Sequence, residues 1–301
     1  MDGVTLLMPP LDQLGQHPRL SRWLGRGDRL PLMPAGRLPV LREQFGLAAG
    51  MIPAAALLRE AAAGDAGDGT WVCADPVYIQ PEAAGARLLA WDTLDLTMAE
   101  AESLARPLRP LLGDAGMLLE TTLPGRWQVR MVTGTPLPLL ADPEQVLGAQ
   151  LLPHLPAGDV GRRWRLLFNE IQILLHQHPL NRQRADRGRL PINALWFWGG
   201  GRLPARPRRA PSGVFSDDPL MTALAWHAGS HRLPSPHPIA GRSSSLVDLA
   251  SAGPEEALRA LAAWHARMHW REGLHLAFVD GHRWRLARAQ VLRVWRRAWR
   301  G

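Results

Sequence analysis

Between His176 and Asn193 the chain places two His, two Asn and four Arg within eighteen residues. His176, His178, Asn181, Arg182, Arg184, Arg187, Arg189 and Asn193 make this segment dense in hydrogen-bond donors. The planar guanidinium fork of arginine suits phosphate or carboxylate, an asparagine amide can donate to a sugar or phosphate oxygen, and imidazole donates or accepts according to pH. This is the signature of an anion-binding loop. The alternative is that the same side chains tie a long loop to the core by satisfying buried backbone groups. His176 and His178 are two residues apart with no acidic partner at recognisable spacing, so a metal site is not assigned to them.

Immediately downstream, Trp196 and Trp198 alternate on one face of a short apolar strand that opens at Asn193 and reaches Trp198. Gly199, Gly200 and Gly201 are expected to break that strand, either for special backbone geometry or for close approach of a ligand. The run is not a nucleotide phosphate loop, because it lacks a Gly-Lys-Ser/Thr ending and a GxGxxG opening a helix. The candidate ligand-binding set is therefore His176, His178, Asn181, Arg182, Arg184, Asn193, Trp196, Trp198, Gly199 and Gly200. No catalytic residue is assigned. Cys73, the single cysteine, cannot form an intramolecular disulfide and reads as a buried strand position.

The elements around this segment follow from local pattern. Gly161–His176 reads as a helix with an apolar face of Trp164, Leu167, Phe168, Ile171, Leu174 and Leu175. Its polar stripe is Arg162, Arg165, Asn169, Gln172 and His176. Pro179 is expected to end it, leaving a loop to Asn193. Val4–Met8 is a first buried strand, 12–39 is mostly loop with one helical turn near Trp23, and 47–63 is a helix with Pro53 as kink or boundary. Trp71–Ile79 reads as two strand pieces broken at Asp75-Pro76, and Arg87–Trp91 as another strand. Thr97 and Glu100 have capping-box spacing for a helix to about Leu112. Met117–Thr122 and Arg126–Val132 form a hairpin about Pro124-Gly125, and Leu274–Val279 with Arg283–Leu286 a second about Asp280-Gly281. A short helix near Pro143–Gln150, helices at Asp217–Ala228 and Pro254–Trp270, and a strand at Ser245–Leu249 complete the series. Helices alternating with strands predict an α/β fold, a mixed β-sheet flanked by helices. The 301 residues fit a single α/β domain with an inserted subdomain near 70–190.

The chain carries 35 basic residues, all arginine, against 27 acidic ones. An Arg, Ala and Gly bias accounts for this as readily as function does. No run approaches the roughly 20 apolar residues of a membrane span, and the N-terminus lacks the basic region of a secretory signal. A cytoplasmic location with no membrane partner is expected. The tail Arg293–Arg300 interleaves Arg with Trp. Stacking on bases is one reading, and an amphipathic helix docking its Trp in the core while Arg faces water is the favoured one.

The run His178-Pro-x-Asn181-x-x-Arg184, then Gly188, Pro191, Asn193 and Leu195 to Gly201, resembles the archaeal-type cofactor-independent phosphoglycerate mutases. The chain is more closely similar to bacterial RpfE-type regulatory proteins, through Cys73-Ala-Asp75-Pro76-Val77, Asn169-Glu170-Ile-Gln172-x-Leu-Leu-His176 and the Trp-Gly-Gly-Gly loop. That similarity spans most of 70–230, whereas the mutase one is confined to about 176–201. The resemblance implies a reduced alkaline-phosphatase-like core, which in the superfamily carries two metal ions and a Ser or Thr nucleophile. Here the first strand ends at Met8-Pro9-Pro10 without the Asp-Gly whose Asp binds metal, Asp2-Gly3 precedes that strand, and the late Asp-x-x-Gly-His motif is missing. The reading is a non-catalytic regulatory or ligand-sensing protein without cofactor, whose partner is a small phosphorylated or other anionic metabolite. The alternative is a phosphoglycerate mutase or phosphatase requiring Mn or Mg. Nucleic acid is disfavoured.

Overall fold

The computed structural model describes residues 3–15, 17–83, 85–238, 244–267 and 273–299. Its strands, in chain order, are β1 (Val4–Met8), β2 (Asp28–Arg29), β3 (Thr70–Glu82), β4 (Gly85–Ala90), β5 (Met117–Leu123), β6 (Arg126–Met131), β7 (Ala194–Gly201), β8 (Gly213–Phe215), β9 (His231–Arg232), β10 (Ser245–Asp248), β11 (Gly273–Phe278) and β12 (Arg283–Ala287). The chain divides into two units, one made of Met1–Ala48 with Arg206–Gly301 and the other of Ala49–Ala205. The second unit starts before residue 70 and runs past 190, because the helix Ala54–Ala63 and strand β7 both belong to it.

The first unit holds a seven-stranded mixed sheet of order β2-β12-β11-β1-β10-β8-β9. Strand β1 is parallel to both β10 and β11, and its Leu6, Leu7 and Met8 are wholly buried. A strand covered on both faces needs an unbroken apolar run, which is what Val4–Met8 is. The Asp280-Gly281 signal does mark a hairpin, joining antiparallel β11 and β12. Segment 12–39 differs from its expected loop. Pro18–Arg26 is a helix burying Leu20 and Leu24, four residues apart, and Arg37–Phe45 is a helix ended by left-handed Gly46. Arg, Gly and Pro mask these amphipathic stripes in the sequence. The helix opening at Pro254 is described to Arg267, and Trp270 lies outside the described residues.

The second unit is an antiparallel sheet of order β4-β3-β6-β5, with β7 paired to β3. Strand β3 is one thirteen-residue strand, not two pieces. It pairs with β6 over Thr70–Cys73 and with β4 over Tyr78–Glu82. Pro76, which has no N–H to give, falls between these partners, so no donor is missed there. Helix Gly158–His176 buries Trp164, Leu167, Phe168, Ile171 and Leu175 against the sheet, with Leu174 at the margin. The Thr97–Glu100 capping box forms and starts the helix Met98–Ala105, and Pro107 separates that helix from Leu108–Asp114.

Candidate functional site

Pro179 begins a helix, where a loop was expected. His178 caps Pro179–Asp186, its Nδ1 accepting from the Leu180 N–H at 3.2 Å, and proline occupies the first turn where no donor is required. The other ring nitrogen, Nε2, lies 3.1 Å from the Ser103 carbonyl. Both ring nitrogens are thus engaged within the protein. His176 and Arg182 are exposed.

Arg187 and Arg189 are exposed as well, whereas Asn181, Asn193 and Arg184 turn inward. Asn181 is buried. Its amide donates to the Leu175 carbonyl at 2.7 Å and the Ile192 carbonyl at 2.8 Å, and its oxygen accepts from the Ile192 N–H at 2.8 Å. Asn193 mimics a strand residue, exchanging hydrogen bonds with both backbone groups of Ile79. Arg184 is 1 % exposed, and donates to the Leu190 carbonyl at 2.9 Å and the Leu94 carbonyl at 2.5 Å while pairing with Glu100 at 3.4 Å. Burial works to raise the Glu100 pKa, but hydrogen bonds from Thr97 and the Arg184 charge outweigh it and hold the carboxyl below its ordinary range. These donors meet backbone carbonyls of the protein itself, so the side chains tie neighbouring segments together.

Trp196 and Trp198 are likewise committed. The Trp196 indole donates to the Ala141 carbonyl at 2.9 Å. Trp198 donates at 2.8 Å to Asp75, a carboxylate with no solvent exposure. Asp75 also receives Trp91 Nε1 at 2.9 Å, the Trp127 backbone N–H at 3.2 Å and Arg126 at 3.4 Å. Arg126 lies over the Trp91 ring, 4.2 Å from its centre, and reaches Asp92 at 2.8 Å. Burial pushes the Asp75 pKa up, with Arg126 and the two indoles opposing it. Cys73 is buried beside it, and burial drives its thiol well above the ordinary range, which suits packing and not nucleophilic attack.

The three glycines continue β7, where a break was expected. Gly199 has φ +58, and a Cβ there would stand 2.6 Å from the Ala54 Cβ. Gly201 meets Pro53 in the same way, at 2.8 Å, and Gly200 faces Leu137 and Val72. The close approach that the glycines permit is thus made by the start of the helix Ala54–Ala63.

A stretch of this chain is related to cofactor-independent phosphoglycerate mutases. Over 62 residues, 21 % of the chain and 16 % of the relative, it is 39 % identical to the probable 2,3-bisphosphoglycerate-independent phosphoglycerate mutase of Geobacter sulfurreducens. Over 66 residues, 22 % of the chain and 17 % of the relative, it is 36 % identical to the corresponding Methanothrix thermoacetophila enzyme. The aligned stretch thus spans about a sixth of these relatives' length. No family profile matches the chain. Among solved structures, the cofactor-independent phosphoglycerate mutase of Thermoplasma acidophilum superposes with TM-score 0.39 and 14 % identity, covering 96 % of this chain and 90 % of that one. A Pyrococcus horikoshii protein gives TM-score 0.48 and 11 % identity over 95 % and 87 %.

A second constellation escaped sequence reasoning. In the first unit, β8 leads through the helix Pro219–Ala228 outward to β9, while β10 leads through the helix Pro254–Arg267 to β11 on the other side of β1. The connections diverge between β8 and β10, and the carboxyl edge at such a point is where open α/β sheets bind ligands. Ser216 and Asp248 stand at those two strand ends. The buried Ser216 hydroxyl donates to Asp248 at 2.8 Å and accepts from the Asp218 N–H at 2.9 Å. Arg37 Nε reaches Asp248 at 3.4 Å and its Nη2 donates to Ser251 at 2.7 Å. The available signal was a polar residue closing each of two short apolar runs, Gly213-Val-Phe-Ser216 and Ser245-Leu-Val-Asp248.

The donor set does not fit a two-metal centre. Among the described residues no three His, Cys, Asp or Glu side chains gather so as to hold an ion. Asp248 is spent on Ser216, Arg37 and the Ala250 N–H. Asp280 accepts from the Leu11 and His282 backbone N–H groups as part of its turn. Asp2, of the early Asp-Gly, lies outside the described residues.

Proposed function

We propose that the chain is a non-catalytic regulatory or ligand-sensing protein of the RpfE type, built on a phosphoglycerate-mutase-like scaffold with a reduced alkaline-phosphatase-like core. The inward commitment of Asn181, Arg184, Asn193 and Trp198 carries this reading. Side chains that would cradle a substrate instead hold two helices and two strands together. The cations that the same segment leaves to solvent, Arg182 and Arg187, are the ones available to a small phosphorylated or other anionic metabolite.

The test pairs an activity assay with a binding assay on the purified chain. With 2- or 3-phosphoglycerate and Mn²⁺ or Mg²⁺, no interconversion and no phosphate release are expected. In a thermal-shift series with phosphorylated metabolites, at least one is expected to raise the melting temperature, and Arg182→Ala with Arg187→Ala to remove that rise. A flat series sinks ligand sensing.

The alternative, a metal-dependent mutase or phosphatase, draws on the hydroxyl–carboxylate pair Ser216–Asp248 at the carboxyl edge of the first sheet. Metal-dependent turnover that disappears in Ser216→Ala would establish it and overturn the non-catalytic reading.

A further inference from the structure

The C-terminal segment inverts its expected orientation. Arg288–Leu292 is a short 3-10 helix and no α-helix follows it among the described residues. Arg293 donates to the Arg26 carbonyl at 3.1 Å and pairs with Asp28, and Arg296 donates to the Gly27 carbonyl at 3.1 Å. The Trp299 backbone N–H donates to the Ser21 carbonyl at 2.8 Å, and its ring meets Trp284 edge-on at 5.7 Å. These contacts pin the segment along the helix Pro18–Arg26. Along this segment, Leu292, Val294 and Trp295 are 65 %, 72 % and 74 % exposed. Arg293 and Arg296 bond to backbone carbonyls of the protein, while Leu292, Val294 and Trp295 face water.

The charge around this ridge is one-sided. Segments 18–29 and 285–299 carry nine of the 35 arginines and a single acid, Asp28, of the 27 acidic residues. The other 26 arginines balance the other 26 acids, so the formal excess of +8 on the whole chain is the excess of this face. Of these segments' arginines, Arg19, Arg22, Arg29, Arg285, Arg288 and Arg297 are exposed.

From the apolar ridge and its arginine surround we infer that this face docks on an anionic membrane surface, lying on it without crossing it. Stable attachment of a soluble surface to a bilayer takes two signals, apolar insertion and a polybasic patch beside anionic headgroups, and this face supplies both. Trp is suited to the headgroup level and long arginine side chains can reach back to it. Single-stranded nucleic acid is the weaker fit. It needs ring faces for bases to stack on, and the ridge offers one free ring beside two aliphatic side chains, Trp299 being packed on Trp284 and Trp23 stacked on His265. The expectation of no membrane partner rested on the want of a spanning segment. No helix among the described residues is long and apolar enough to cross a bilayer, and surface docking requires none.

The experiment is co-sedimentation of the full chain with vesicles of phosphatidylcholine alone and of phosphatidylcholine with phosphatidylglycerol. Binding to the anionic vesicles only, weakening steeply with salt, is expected. Leu292→Ser with Trp295→Ser should reduce vesicle affinity at least tenfold with the melting temperature unchanged. Arg22→Glu with Arg297→Glu should weaken binding and flatten its salt dependence. Failure to bind anionic vesicles at low salt overturns the inference, as does equal binding to neutral ones or indifference to the Leu292 and Trp295 changes. Tight binding of a single-stranded oligonucleotide, lost in Trp295→Ser while vesicles are ignored, would also overturn it and name the other occupant.

Discussion

Residues 176–201 and 288–299 draw on the same two side-chain types, arginine and tryptophan, and place them differently. In both, arginine is drawn to backbone carbonyls outside the regular ladders. Arg184 serves Leu94 and Leu190, and Arg293 and Arg296 serve the carbonyls of Arg26 and Gly27 where the helix Pro18–Arg26 stops. The favourable position of a cation at a helix C-terminus adds to the latter pair. Tryptophan separates the regions. Trp196 and Trp198 stand in the buried strand β7 with a core on hand and an acceptor within the protein for each N–H, whereas Trp295 sits on a surface segment whose contact with the core is already taken by Trp299. Arginine orientation follows backbone carbonyls, and tryptophan orientation follows the core available. A buried arginine bonded to carbonyls therefore argues for structure, and an outward tryptophan on a segment held down by its arginines argues for a partner.

The comparison breaks first at Asp75, if the inward region is less tightly determined than its hydrogen bonds imply. Asp75→Ala leaves the Trp91 and Trp198 indoles, the Trp127 N–H and Arg126 without their common acceptor, inside a protein interior. Removing one partner from a buried ion pair costs about 3–5 kcal/mol. Urea denaturation should register a loss of that order, and a loss below about 1 kcal/mol would mean the network relaxes or hydrates freely.

A smaller effect is expected at Gly199. Gly199→Ala forces an L-residue into φ +58 and drives a methyl onto Ala54. The left-handed conformation costs about 1–2 kcal/mol, and overpacking adds about 1–3 kcal/mol. Were a ligand, and not the helix Ala54–Ala63, the reason for these glycines, the substitution would leave the melting temperature nearly unchanged and abolish binding alone.

What could be read in the sequence was local. The strand Val4–Met8, the Thr97–Glu100 capping box, the helix ending at His176 and the Asp280-Gly281 hairpin each announce themselves within a few residues. What could not be read depends on partners distant in sequence. Pro76 is tolerated in β3 because β6 ends and β4 begins on either side of it. Gly199 to Gly201 continue a strand because Pro53 and Ala54 press on them. Donor density between His176 and Asn193 was legible, but its direction was not, since the carbonyls of Leu94 and Ile79 reach it only through folding. Ser216 and Asp248 meet across 32 residues and no local pattern joins them.

The finest test of the comparison is electrostatic and lies on the arginine-rich face. His265 stacks on Trp23 at 4.6 Å, and its pKa is lowered, first by burial and then by the charge of Arg288. A histidine with a depressed folded pKa resists protonation that the unfolded chain accepts. Its contribution to stability is complete above the unfolded value near 6.5 and is lost as pH falls from there through the folded pKa. Arg288→Gln removes the second cause and leaves the first. The His265 imidazole resonance, followed by NMR against pH, should then titrate at higher pH than in the parent chain while staying below the ordinary value, and stability should fall less steeply below pH 6.5. An anionic surface docked on this face would act in the same direction by offsetting the arginines, so anionic vesicles should raise the His265 pKa in the parent chain and raise it less in Arg288→Gln. If neither the substitution nor the vesicles move the titration, His265 is governed by burial alone, and the charge gathered on segments 18–29 and 285–299 does not reach into the core beneath it.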